Sequence, residues 1–282
     1  MAEFGAAHPS PGTWFLRVFV AFVRREARIA SGYRVAFLGR AAVFALSVLT
    51  LAFMARLVGA ASNPHLAAYG GDYLSFAVLG LLVLDLQQVG VTNLSQRVRL
   101  AQLLGLMEAE LASPVPTWIA LGVGPTYEFV LALGRATAYA LLAVVCFGVR
   151  YPHASWTSVA LVLPLMIGAF GGIGLLSAAV TLLVRRTNPV SILFGSASLL
   201  LSGVAYPVSV LPAPLRALGQ VLPLTHALAA TRGAMLNGQT PGTLIGSLLG
   251  LAVFSAVLLP VGAVLFAYAL RRARVDGSLS HF

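Results

Sequence analysis

Apolar and polar positions alternate along this chain in blocks too long for a soluble fold. Six runs rich in Leu, Val, Ala and Phe occupy roughly 36–59, 73–94, 119–148, 156–183, 190–206 and 243–270. Each reaches the ~17–25 residues that carry a helix across a bilayer. The pattern predicts an all-α polytopic membrane protein with six transmembrane helices. Ahead of the first run, Trp14, Phe15, Val18, Phe22 and Ile29 share a face at helical spacing, with Arg17, Arg24, Arg25 and Arg28 largely beyond it. That stretch reads either as an amphipathic helix in the membrane interface or as an ordinary basic flank to the first span. Residues 1–34 are therefore taken as an N-terminal tail and interfacial helix, and 35–282 as a single transmembrane domain.

The longest internal polar break is RVRLAQLLGLMEAELASPVP, Arg97 to Pro116. It predicts a short charged helix over about 100–112, ended by Ser113-Pro114-Val115-Pro116, where proline removes an amide donor and clashes with the preceding turn. A second irregularity covers 207–236. Pro207, Pro212, Pro214 and Pro223 divide apolar sequence into pieces of about 212–222 and 224–236, too short to span. Such pieces predict two re-entrant or interfacial helices on the outer side, packed against protein or water.

Composition supports the membrane reading: 59% of residues are hydrophobic and 9% charged, with a net charge of +10. All 18 basic residues are arginine. Their positions explain the charge better than a nucleic-acid partner does. Arg17, Arg24, Arg25, Arg28, Arg34, Arg40, Arg97, Arg99, Arg185, Arg186, Arg271, Arg272 and Arg274 fall on one side of the predicted topology, against Arg150, Arg216 and Arg232 on the other. By the positive-inside rule both termini are expected in the cytoplasm, and anionic lipid is the natural partner of this basic side. The single cysteine, Cys146, excludes an intrachain disulfide. No basic segment leading into a short apolar core and cleavage site stands at the N-terminus, so no signal peptide is expected.

Catalytic chemistry is hard to place. The chain has no HExxH, no His/Cys/Asp set at metal-ligand spacing and no paired intramembrane aspartates. A P-loop needs a lysine for the phosphates, and none exists here, so ATP hydrolysis by that motif would need another chain. Three ionisable residues fall inside predicted spans: Asp85, Glu128 and Arg135. Groups of this kind are costly in a bilayer and face a partner or a cavity. Asp85 and Arg135 sit at comparable depth, and are read either as a structural pair or as part of a substrate path. Gln87 and Gln88 continue the polar patch and fit both readings. Gly168, Gly171, Gly172 and Gly174 in the fourth run either allow close helix approach or form a hinge.

GLMEAELASPVPTWIALGVG at 105–124 and LSGVAYPVSVLPAPLRALGQVLPLTHALAATRGAML at 201–236, in this order and spacing, resemble the ABC type-2 permease family of bacterial exporter membrane subunits. The resemblance covers nearly the whole chain. It implies a cytoplasmic coupling helix in the first segment, contacting the ATPase through Arg97, Arg99, Leu103, Leu106, Met107, Glu108 and Glu110. It also implies two ABC ATPase subunits, a second permease copy or a sibling, and ATP and magnesium held on the partner rather than in this chain. The translocation path would lie at the dimer interface between second and fifth spans, touching Phe194, Ser198, Ser202 and Tyr206, with Asp85, Gln88, Glu128 and Arg135 as the intramembrane polar set. The expected location is the bacterial inner membrane. The mostly small and aliphatic fifth span leans toward a hydrophobic or amphipathic substrate: a lipid, a drug or a lipid-linked glycan. The competing reading is a stand-alone integral membrane protein, a passive channel or a membrane enzyme, without an ATPase partner.

Overall fold

The computed structural model describes Val20, Arg24 and residues 34–58, 72–105, 117–184 and 189–275. Within them lie eight α-helices and no strand. In chain order these are α1 (Arg34–Val58), α2 (Tyr73–Leu103), α3 (Thr117–Phe147), α4 (Trp156–Val184), α5 (Pro189–Leu201), α6 (Ala213–Gln220), α7 (Pro223–Leu236) and α8 (Ile245–Val275). Four helices are long and apolar enough to cross a membrane: α2, the 127–147 part of α3, α4 and α8. The apolar stretches of α1 (Ala41–Arg56) and α5 (Val190–Leu201) are shorter. Of the expected interfacial helix, Val20 and Arg24 are helical; the rest of it lies outside the described residues.

The helix ends follow local chemistry. Asp72 caps α2, accepting from the backbone amides of Leu74 at 3.1 Å and Ser75 at 3.3 Å, which satisfies two of the orphan donors of the first turn. At its other end α2 runs on past the expected membrane exit near residue 94, through Arg97 and Arg99 to Leu103. Gly105 stops it there, with φ at +66° and its amide on the Gln102 carbonyl at 3.2 Å. Of the expected coupling helix of about 100–112, the first four residues form the last turn of α2. Residues 106–116, with Leu106, Met107, Glu108 and Glu110, lie outside the described residues.

The fifth helix is also shorter than expected. It ends at Leu201 rather than near Tyr206, and Gly203 turns the chain with φ at +73°. After a 3₁₀ turn at Val208–Val210 come the two short helices α6 and α7, close to the two pieces anticipated from the prolines. Pro223 starts α7, where a missing amide costs nothing.

α4 is the hub, packed against α2, α7 and α8. Small residues make this possible, because helices in lipid gain from close van der Waals approach rather than from hydrophobic expulsion. A Cβ on Gly172 would stand 2.5 Å from the Leu258 backbone of α8, one on Gly174 would collide with the Gly90 carbonyl of α2, and one on Gly168 with Ser255 of α8. Gly171 is different: its nearest neighbour would be Phe129 at 3.8 Å. Three of the four α4 glycines thus serve packing. One core cluster joins α2, α3, α4, α7 and α8 around Phe129, Met166, Phe170, Leu224 and Leu228. A separate cluster pins α1 to α2 and α3 through Phe44, Val48, Leu82 and Tyr139. In the loop between α3 and α4, burial, reinforced by the Asp72 carboxylate, pushes the Tyr151 phenol above its ordinary pKa.

Candidate functional site

An open-sided cleft of about 660 Å³ lies between α1, α2 and α3. Its floor is one face of α2: Leu81, Leu84, Asp85, Gln88, Val89, Thr92, Asn93 and Gln96. Those positions recur at three- and four-residue steps, the spacing that stacks side chains along a single helix face. From Asp85 to Gln96 the polar ladder is roughly 16 Å long at helical rise. α1 contributes Gly39, Val43, Phe44 and Ser47, and α3 contributes Arg135 and Tyr139. The Phe44 and Tyr139 rings stack with centroids 4.3 Å apart and planes 13° from parallel, which locks α1 onto α3 at the wall of the cleft.

The two charges of this lining pair with each other. Arg135 donates to Oδ2 of Asp85 from Nη2 at 2.8 Å and from Nε at 3.2 Å. Both bonds end on the same oxygen. Among the described residues Oδ1 of Asp85 accepts no hydrogen bond, and the Asp85 side chain is 34% exposed against 12% for Arg135. Both side chains line the cleft, and the carboxylate is the more exposed of the two.

Glu128 lies seven residues before Arg135 on α3, yet it takes other partners. Its Oε1 meets Nη2 of Arg97 at 3.4 Å, and its Oε2 accepts from Nδ2 of Asn93 at 3.2 Å. Arg97, expected at the ATPase contact, therefore reaches back to α3. Arg99 and Leu103 do lie exposed at the end of α2, beside exposed Leu100 and Leu104.

The expected path residues divide. Ser198 is buried and accepts from Nε2 of Gln87 at 2.7 Å. Ser202 is buried too, its hydroxyl without a partner among the described residues. Phe194 and Tyr206 are half-buried, and the Tyr206 hydroxyl donates to the Leu200 carbonyl. Gln88 links the two regions, since a Cβ on Gly195 of α5 would lie 3.0 Å from its Nε2. Between Gln87 and Ser198 on one side and the cleft on the other, α2 carries polar groups on two faces.

Arg232 on α7 counts in the arginine distribution only as one of three expected on the outer side. It is 3% exposed and donates to the carbonyls of Phe76, Gly203 and Val204, at 3.2, 2.8 and 2.6 Å. The signal was available in its position: an arginine within an otherwise apolar, proline-bounded helix.

A cleft of this kind offers a polar group the Asp85–Arg135 pair and the amides of α2. It holds no nucleophile–base pair, and no cluster of three metal-ligating side chains occurs among the described residues. A search of curated proteins returned no match. The sequence model of one family, the ABC-2 type transporter, matches residues 17–236, well over half of the chain. The match runs from the basic N-terminal stretch to the end of α7, and takes in every helix that builds the cleft. The chain belongs to the ABC-2 type transporter family, as a membrane subunit of an ABC transporter.

Proposed function

We propose that this chain is the permease of an ATP-driven exporter that moves a hydrophobic or amphipathic substrate outward by alternating access. The observation that carries this reading is the polar ladder on α2. It leads from Gln96, exposed near the expected cytoplasmic end, to Asp85 at the centre of the span. Polar groups in a span are retained where they face a path or a partner. The proposed topology has six spans with both termini cytoplasmic in a bacterial inner membrane, and Asn63 and Gln239 outside.

Two ABC ATPase subunits bind and hydrolyse ATP with magnesium, and this chain supplies the coupling contact. Exposed Leu100, Leu103 and Leu104 at the end of α2 fit such a contact, continued by Leu106, Met107, Glu108 and Glu110. A second copy or a sibling completes the path. The α5 face with Ile192, Leu193, Leu199 and Leu200, each more than half exposed, suits helix-on-helix packing across a dimer axis.

The test is co-purification of the tagged chain from native membranes, followed by ATP-driven uptake in inverted vesicles. A P-loop ATPase should come with it, and the Glu108→Lys/Glu110→Lys double variant should lose the complex or uncouple hydrolysis from transport. Purification without any ATPase, with solute passage that ignores ATP, would establish the stand-alone channel instead.

A further inference from the structure

We infer that the α1–α2–α3 cleft binds the head group of an uncharged, hydroxyl-bearing amphiphile, and discriminates against phosphate-bearing heads. The inference rests on the transport reading above and specifies its substrate class. Three observations carry it.

The first is charge. Among the described residues Asp85 and Arg135 are the only charged ones lining the cleft, and their charges cancel. Arg135 bonds Asp85 through Oδ2, Oδ1 accepts no hydrogen bond among the described residues, and the carboxylate is the more exposed member of the pair, 34% against 12%. An anionic phosphate entering here would meet a carboxylate more exposed than the arginine paired with it, in a site partly shielded from water where like charges repel strongly. A hydroxyl has no such difficulty, because it can donate to Oδ1.

The second is the rest of the polar surface. Gln88 and Gln96 present amides, which both donate and accept. Asn93 keeps its amide oxygen as an acceptor while its Nδ2 donates to Glu128, and the Thr92 hydroxyl, donating to the Gln88 carbonyl at 2.6 Å, can still accept. Sets of this kind match the mixed donors and acceptors of a polyol or an amide. The third is the rim. Val43 lines the cleft and is 65% exposed on the outer surface of α1. The opening is therefore bordered by lipid-facing hydrocarbon, and a tail can leave past Val43 while the head stays beside Asp85.

Photolabelling of the intact chain in phosphatidylcholine nanodiscs tests this. The probes are an alkyl glucoside and an alkyl phosphate of the same chain length, each with a diazirine on the tail, followed by peptide mapping. The glucoside should label α1 and α2 around Val43 and Leu81 saturably. It should outcompete the phosphate by about tenfold, the scale of one unfavourable unit charge at close range. Gln88→Trp, about one helical turn from Asp85 on the cleft face of α2, should abolish labelling.

Asp85→Asn leaves Arg135 uncompensated and should move the preference toward the phosphate. Asp85→Asn/Arg135→Gln restores neutrality and should restore the glucoside preference, which keeps the test valid if the single variant fails to fold. Methyl glucoside without a tail should compete poorly; equal competition would make the ligand a free sugar and overturn the amphiphile. Equal or better labelling by the phosphate in the wild type, or labelling indifferent to Gln88→Trp, would overturn the inference outright. Labelling needs neither ATP nor an ATPase, so the cleft can pass while the exporter reading fails at co-purification, and the reverse.

Discussion

The guanidinium carbon of Arg232, on α7, lies 3.4 Å from the centroid of the Phe76 ring on α2. The same side chain donates to the Phe76 carbonyl and to the carbonyls of Gly203 and Val204 just beyond α5. One arginine thus ties together the start of α2, the segment just beyond α5 and α7 itself. This explains how the chain can abandon helical hydrogen bonding at Leu201 within apolar surroundings. The carbonyls freed by the Gly203 turn are taken by a cation rather than left in lipid, where each would be costly.

A lysine keeps the charge at this position but loses the planar fork and the stacking on Phe76. Arg232→Lys should lose at least one charge-assisted bond of about 1.5–3 kcal/mol. Its melting temperature in detergent should fall clearly below wild type. Arg216→Lys is the control, since Arg216 bonds only the Ser209 and Leu211 carbonyls from an exposed position. Equal melting of both variants would remove Arg232 as the clamp.

The glycine seam of α4 makes a second, sharper comparison. Gly172→Ala forces a methyl against the Leu258 backbone, which cannot rotate away, so α4 and α8 must separate. Overpacking of that kind costs about 1–3 kcal/mol. Gly134→Ala on α3 meets nothing within 4 Å, and should be neutral or stabilise by about 0.5–1 kcal/mol through helix propensity. Thermal melting of the two variants side by side measures the contrast. A hinge role for Gly172 predicts intact melting with lost transport.

Burial of Ser198 against Gln87 supports a third expectation. Oε1 of Gln87 already lacks a partner among the described residues, and Ser198→Ala would remove the bond from its Nε2 as well. Leaving a buried amide unsatisfied costs about 1–3 kcal/mol. Gln87→Leu added to Ser198→Ala should recover part of that loss, since no polar group then remains to be satisfied. If Ser198 instead serves substrate alone, Ser198→Ala will melt like wild type and impair only transport.

The runs of apolar residues made the helices legible, because crossing a bilayer imposes a length that composition alone reveals. Asp85 and Arg135 were legible as candidates for the same reason: a charge at that depth needs company. Their neighbours were harder. The seven-residue step from Glu128 to Arg135 places both on one side of α3, but says nothing of a side chain reaching over from α2. Arg97 does that, and α2 continues as helix beyond the membrane exit that hydropathy suggested. Gln87 and Gln88 stand together in the polar patch, but adjacent residues in a helix point about 100° apart and meet different neighbours: Gln87 reaches Ser198, while Gln88 lines the cleft. The early end of α5 depends on an arginine some thirty positions downstream, and no local pattern around Leu201 contains it.

The Asp85–Arg135 bond gives the last prediction, and it separates stability from recognition. Neither charge is free to leave the membrane region, and an unpaired one costs about 2.5–3.5 kcal/mol on insertion scales. Asp85→Asn strands Arg135, which is the more deeply buried of the two. Arg135→Gln strands Asp85 in a position already open to the cleft, so its penalty should be the smaller. The double variant leaves two neutral amides and should melt above the Asp85→Asn single, because removing one partner of a buried pair is worse than removing both. The measurement is a double-mutant cycle of detergent melting, with coupling read as the departure from additivity. Strictly additive losses would deny the pair any structural role. Positive coupling together with lost substrate-stimulated ATPase activity in the double variant would show that the same two residues hold the cleft together and read what enters it.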